Sequence, residues 1–267
     1  MSRAGSRTRR AEAAPPPEAI DKFTLYELSV TGPDKMAPFL YALHGKRPKK
    51  LGEDFSGTAA VSRGWLRYRR GLSAVAVDQD PAVLARTAPT VGLRTVAADV
   101  LKVRDKADII AATNFPICYW HTRRELLRYL RHVRSRLLRG GIFVADLYGG
   151  PLALKKSKRT KPVKLPDGGS VTYVWDQKSI DPLTMRVFNA IHFRWPDGRI
   201  MRDAFTYDWR LWSIPELRDA MAQAGFRSTE VHDRLGAAVD VLGNVYVKPV
   251  EEGELERDYV VYVVART

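Results

Sequence analysis

The stretch LGEDFSGTAAVSRGWL, residues 51–66, has the outline of the first turn of a nucleotide-binding α/β fold from which most glycines are missing. A strand-like start, residues 51–55, runs through two acids into a loop with one glycine, Gly57, and then into a helix-compatible segment. A dinucleotide fold needs G-x-G-x-x-G at this point, because backbone N–H groups must close on a pyrophosphate. Here Phe55, Ser56, Thr58 and Ala59 surround Gly57, so a phosphate cradle is not expected. A Walker A loop is excluded because no Gly-Lys-Ser/Thr follows.

Outward from this turn, strand and helix signals alternate. Apolar runs at 73–77, 94–98, 108–112 and 142–147 read as further strands. Between them, Asp80 before Pro81 is an N-cap with proline at the first helical position. Thr122 and Glu125 form a capping box whose helix carries Leu126, Leu130, Val133 and Leu137 on one face and runs to Gly140-Gly141. Such alternation gives a parallel sheet, with ligands at the carboxyl ends of its strands. From 170 to 210 the pattern changes to β-branched and aromatic segments separated by DPL and PDG, which predict an antiparallel sheet. A second capping box, Ser213 and Glu216, opens a helix that ends at Gly225, and strands close the chain at about 228–232 and 259–264.

The expected fold is therefore α/β, a Rossmann-like parallel sheet with helices on both faces and a small antiparallel β-sheet inserted at about 165–211. Residues 1–18 read as a disordered basic tail, 19–48 as an N-terminal helical cap and 49–267 as the main domain. With 267 residues and 45% hydrophobic content the chain can fill such a core. One cysteine, Cys118, and five histidines without ligand spacing exclude a disulfide framework and predict no metal site. No stretch of about 18 apolar residues occurs and the N-terminus has no apolar targeting core, which predicts a soluble, cytoplasmic protein with no membrane partner. A net charge of +14 suits nucleic acid, but the charge lies in the tail, on one helix (123–139) and in the loop LKKSKRTKPVK (154–164). Nucleic acid is an alternative partner, and a monomer or homodimer is expected.

The acids are better preserved than the glycines. Glu53 ends the first strand, Asp78 the second, and Asp99 follows the third, so all three point over one edge of the sheet. A carboxylate about twenty residues beyond the loop glycine is placed to bind ribose hydroxyls. One after the third strand can meet an adenine amino group, and one near the first suits a cationic ligand. Ribose, adenine and positive charge without phosphate describe S-adenosylmethionine. At this point the sequence resembles the class I S-adenosylmethionine-dependent methyltransferases, whose sheet has seven strands. EDFSGTA is similar to an EDFCGTA-type variant of their first motif from one bacterial branch, with Phe55 and Ala59 in place of its outer glycines. The resemblance covers about residues 51–150 and implies a donor site of Glu53, Phe55, Gly57, Thr58, Ala59, Asp78, Gln79, Asp99, Val100, Asn114 and Phe115. RDAFTYDWRLWSIPELRDAMAQAGF resembles the insert and helix of small-molecule methyltransferases, including sugar N-methyltransferases.

Methyl transfer from a sulfonium is an in-line displacement that needs positioning and a dry pocket more than a fixed catalytic residue. A base is needed only for an acceptor that is protonated at working pH. Tyr119 and His121, in NFPICYWHT, are the candidates for that role; Cys118, apolar-flanked, reads as packed. Tyr207 and Arg210 are the polar members of an aromatic insert that could wall the acceptor pocket, and Tyr26 could close over the donor. The leading expectation is methyl transfer to N or O of a small molecule. The alternatives are an RNA or DNA methyltransferase using the basic helix and residues 155–164 as a phosphate track, and an inactive methyltransferase-like binding module.

Overall fold

Strands buried on both faces need near-continuous apolar runs, and the five segments named above supply them. In the computed structural model, which describes residues 20–30, 32–233 and 245–267, these segments and the two C-terminal strands form one seven-stranded sheet. The basic tail expected at 1–18 lies outside the described residues. Numbered along the chain, the strands are β1 (Lys50–Asp54), β2 (Ser73–Asp78), β3 (Leu93–Ala97), β4 (Ala107–Ala112), β5 (Leu137–Gly149), β10 (Ser228–Asp233) and β11 (Tyr259–Arg266), in the order β10-β11-β5-β4-β1-β2-β3. β3 to β5 pair in parallel, and β11 runs antiparallel to both its neighbours. The strand order reverses at β1, between β4 and β2, so the crevice beyond their carboxyl ends is the expected ligand site.

Alternation along β4 shows how helices cover both faces. Ile109 and Ala111 pack with Phe39, Leu40, Val61 and Trp65 from α2 (Pro33–His44) and α3 (Ala60–Tyr68). Ile110 and Ala112 pack with Leu126 and Leu130 of α5 (Arg123–Arg136) and with Leu217 and Met221 of α6 (Ile214–Gln223). Both capping boxes form, Thr122 with Glu125 and Ser213 with Glu216. Asp80 caps the short α4 (Pro81–Leu84) by accepting from Ala82 N.

One boundary differs from the expectation. The helix read to Gly140 ends at Arg136, and Leu137 already pairs with Ala107 at the start of β5. The cause is a buried ion pair: Arg136 turns inward and its Nη1 donates to both carboxylate oxygens of Asp54, at 3.0 and 2.9 Å. Tyr129 adds a hydroxyl bond to the same carboxylate at 3.0 Å. Leu137 leaves the helix in an extended conformation, ψ 138°, which releases the chain into the sheet.

The antiparallel sheet has four strands, β6 (Ser157–Lys164), β7 (Ser170–Asp181), β8 (Arg186–Arg194) and β9 (Ile200–Arg210), in sequential order. β6 is the stretch that reads as a basic loop. Its lysines and Pro162 hide the period-2 pattern, but these are the residues that suit an edge strand. Above this sheet lies α1 (Lys22–Val30), whose Leu25 is buried among Val163, Val171, Ile191 and Phe193. Polar ties fix α1 on two sides. Glu27 accepts from Arg63 at 2.6 Å and from the Thr58 hydroxyl, both on the sheet domain, while Lys161 of β6 donates to Ser29 O. Among the described residues no helix is long and apolar enough to cross a membrane.

Candidate functional site

The loop after β1 keeps the backbone of a glycine-rich turn without the glycines. Phe55, Gly57 and Ala59 all have left-handed φ, at 58°, 54° and 58°. Left-handed backbone costs a non-glycine residue about 1–2 kcal/mol, so two of the three positions are strained and need outside support. Ser56 N donates to Val77 O and Ala59 N to Ser56 O, each at 2.9 Å. Gly57 N donates to Asp78 Oδ2 at 2.8 Å. The other Asp78 oxygen accepts from Asp80 N at 3.0 Å, and each oxygen retains a lone pair for a further donor.

Glu53 lies below this loop. It is buried, and its Oε2 accepts from Ser62 N, at the start of α3, at 2.7 Å. Burial pushes its carboxyl up to about 7, against the opposing pull of hydrogen bonds from Ser62 and Val61. Asp99 is exposed and accepts from Leu101 N at 2.9 Å, capping the short turn Val100–Lys102.

After β4 two more non-glycine residues are left-handed, Asn114 (φ 70°) and Phe115 (φ 68°). Both N–H groups donate to the carboxylate of Asp146 on β5, at 2.8 and 2.7 Å. Asp146 is buried, which raises it to about 7 although both backbone bonds favour its ionised form. Sequence reasoning missed this residue. The available signal was an acid in the middle of the apolar run FVADLY, where a buried carboxylate must have fixed donors.

A cavity of about 610 Å³ opens at the carboxyl ends of β1 to β4. Glu53, Phe55, Gly57, Thr58, Asp78, Gln79, Asp99, Val100 and Asn114 line it, as do Tyr26, Tyr119 and Tyr207. Lys22, Phe23, Trp120, Arg128 and Phe205 also line it and were not singled out from sequence. Ser56 Oγ and Trp120 Nε1, on lining residues, are buried with no hydrogen-bond partner among the described residues.

Four of the sequence candidates stand outside this lining. Ala59 is fully buried under the loop. Phe115 packs its ring against Tyr148 and Trp209, with centroids at 5.0 and 6.0 Å. His121 Nε2 lies 2.9 Å from Asp208 O. Arg210 stacks on Trp212 at 3.8 Å and donates to His121 O at 3.1 Å. These two side chains tie the insert to the segment before α5.

The mouth of the cavity is aromatic. Phe55 and Tyr119 stack at 6.2 Å, and Tyr26 lies 5.0 Å from Phe205. Tyr26 and Tyr207 both line the cavity, and burial raises the phenols of Tyr26, Tyr119 and Tyr207 alike. All three are therefore neutral hydroxyls near neutral pH. Cys118 is buried and its thiol is pushed up by desolvation, as a packed cysteine requires.

No family model matches the sequence, and no curated protein matches it. Solved structures do match it in three dimensions. The CcbJ methyltransferase from Streptomyces caelestis superposes with a TM-score of 0.66 at 17% identity, covering 90% of this chain and 98% of that one. The S-adenosylmethionine-bound amino pentose methyltransferase CalS10 from Micromonospora echinaspora gives 0.65 at 16% identity, covering 95% and 100%. The sugar N-methyltransferase KedS8 from Streptoalloteichus gives 0.64 at 15% identity, covering 98% and 100%. The likeness runs over both sheets, and the chain has the Rossmann-like methyltransferase fold.

Proposed function

We propose that this chain is an S-adenosylmethionine-dependent methyltransferase acting at N or O of a small-molecule acceptor. The observation that carries the reading is the pairing of Glu53 and Asp78 across a left-handed loop, both opening on one cavity with an aromatic mouth. The fit to the donor rests on the same residues. Asp78 has lone pairs free for ribose hydroxyls, Asp99 stands at the end of β3 for an adenine amino group, and Glu53 meets positive charge. Ser56 Oγ and Trp120 Nε1 are unpaired polar atoms that a bound nucleoside can satisfy.

When bound, S-adenosylmethionine supplies a methyl group already activated by its sulfonium. The chain then contributes position and dryness. Asp78 and the loop it holds fix the donor half, and the strained pair Asn114–Phe115 brings the β4 end close to it. Phe55, Tyr119, Tyr26 and Tyr207 exclude water and present π faces where positive charge passes from donor to acceptor. Neutral Tyr119 and Tyr207 hydroxyls orient an acceptor as donors or acceptors of hydrogen bonds; as bases they are too weakly acidic to be ionised.

A small acceptor is favoured over nucleic acid by what the basic residues of 155–164 do. Lys158 pairs with Asp176 at 3.2 Å, and Lys161 donates to Ser29 O beneath α1, so two cations of this stretch are engaged in holding the fold. Calorimetry with S-adenosylhomocysteine tests the reading. Binding by the wild type that is lost in Asp78→Ala supports it, and absence of binding by the wild type overturns it. Turnover of the donor with any acceptor separates an enzyme from an inactive module.

A further inference from the structure

At the opposite edge of the seven-stranded sheet from the donor cavity, a second cleft of about 610 Å³ is lined by cations from four separate parts of the chain. They are Lys46 after α2, Arg134 in the last turn of α5, Arg139 at the start of β5 and Arg227 before β10. Leu138, exposed, and Thr267 complete the wall. We propose that this cleft is a binding site for a compact polyanion of the oligophosphate class, distinct from the methyl-donor site and independent of the function assigned to it.

The charge balance carries the inference. Several arginines on other surfaces are paired with carboxylates, Arg63 with Glu27, Arg67 with Asp34, Arg94 with Asp105 and Arg266 with Glu230. None of the four cations of the cleft is in an ion pair among the described residues, and no acidic side chain lines it. A helix C-terminus contributes only about half a negative charge. Even with that, the cleft keeps a surplus of positive charge. Asp108, on the neighbouring strand, accepts through Oδ2 from the N–H groups of Lys49 and Lys50, both at 2.9 Å, and is not among the residues lining the cleft.

The frame of the cleft is built rather than incidental. Arg134 Nε donates to Gly225 O at 2.7 Å, which anchors the guanidinium while its terminal nitrogens keep further donors. Gly140 is left-handed (φ 74°), and a β-carbon there would stand 3.4 Å from Lys46 Nζ, so the missing side chain is the space into which Lys46 reaches. Thr267 N and Oγ1 both donate to Gly141 O at 3.3 Å. Planar guanidiniums and an ammonium converging from three sides suit phosphate oxygens, which accept several charge-assisted bonds at once.

The test uses the full chain with inorganic triphosphate as the probe, by calorimetry at low salt, and with adenosine triphosphate to separate a phosphate site from a nucleotide site. The expected result is saturable binding of both, weakened about tenfold or more in Arg139→Ala/Arg227→Ala and weakening further as salt is raised. Lys155→Ala/Lys156→Ala, on another surface, is expected to leave it unchanged. Thermal unfolding of each variant confirms that the fold is retained. The proposal is overturned if triphosphate does not bind, or if both double variants lose affinity equally, which marks unspecific charge attraction. It is also overturned if triphosphate binding depends on Arg124 and Arg131 of α5 but not on Arg139 and Arg227.

Discussion

Asp78 and Gly57 are 21 residues apart in sequence and meet at 2.8 Å, the Gly57 N–H donating to Asp78 Oδ2. The carboxylate that faces the donor cavity thus also holds the loop that forms its floor. Substitution of Asp78 therefore removes two functions at once, and the choice of side chain separates them. Asp78→Ala is expected to lower S-adenosylhomocysteine affinity by about 100-fold or more, since charge-assisted hydrogen bonds contribute about 1.5–3 kcal/mol each. Asp78→Asn retains an acceptor for Gly57 and is expected to fall between wild type and alanine in titration calorimetry. Equal affinity of the alanine variant and the wild type would remove Asp78 from the donor site.

Glu53 gives the cavity, and the donor site proposed there, a pH dependence whose sign is fixed by its burial. Its ordinary value of 4.5 is raised to about 7 in the folded chain, and Asp146 moves from 3.8 to about 7 for the same reason. Between those limits the folded state binds more protons than the unfolded state, so stability is highest on the acid side of the window and declines as pH rises toward 7. A cationic ligand acts in the other direction by favouring ionised Glu53. S-adenosylmethionine affinity is thus expected to rise severalfold from about pH 6 to about pH 8, with proton release on binding. Glu53→Gln is expected to flatten that profile; an unaltered profile in the variant would assign the titration to another group.

The Asp54–Arg136 pair is a stability element. With side-chain exposures of 0% and 2%, neither charge has water to fall back on. Arg136→Ala leaves a buried carboxylate with only the Tyr129 hydroxyl, and a loss of about 3–5 kcal/mol is expected in denaturant unfolding. The double change Asp54→Leu/Arg136→Met should recover most of that loss, because it removes both charges. A double variant no more stable than the single one would show that the hydrogen bonds to Tyr129 and the chain, rather than the unpaired charge, set the penalty.

Much of the architecture could be read from the sequence because it rests on local chemistry. The capping boxes at Thr122 and Ser213 form as read, and the apolar runs become parallel strands. Tertiary requirements were harder to see. Arg136 is indistinguishable in sequence from the exposed arginines around it, yet its partner Asp54 lies 82 residues away and ends the helix. The edge strand β6 carries lysines because a free sheet edge must repel pairing, and that same composition makes it read as a loop. The donor loop shows a third kind of gap. The missing glycines at 55 and 59 read as evidence against a phosphate cradle, but they do not reveal that Phe55 and Ala59 keep the left-handed backbone. Conformation persisted where residue type did not.

Tyr207 is the candidate acceptor-side residue that lines the cavity, and burial keeps its hydroxyl neutral. Tyr207→Phe keeps the ring stack on Trp209, with centroids at 4.4 Å, and removes the hydroxyl alone. The acceptor KM is expected to rise about tenfold, the value of one or two lost hydrogen bonds, with S-adenosylhomocysteine affinity unchanged. His121→Ala and Arg210→Ala, whose side chains are outside the lining, are expected to keep near wild-type KM for both ligands. Steady-state kinetics with donor and acceptor varied separately distinguishes these outcomes.

The helix α1 holds Thr58 and Arg63 through Glu27 on one side and rests on the insert through Leu25 and Lys161 on the other. A short rigid rod fastened at both sides acts as a lever, and a displacement at either side is carried to the other. If the cavity holds a methyl donor beside its acceptor, departure of spent donor and of methylated product is expected to share one opening event and one activation barrier. A common relaxation rate for both ligands is the kinetic signature of that linkage, and two unrelated rates would show that the sides move separately.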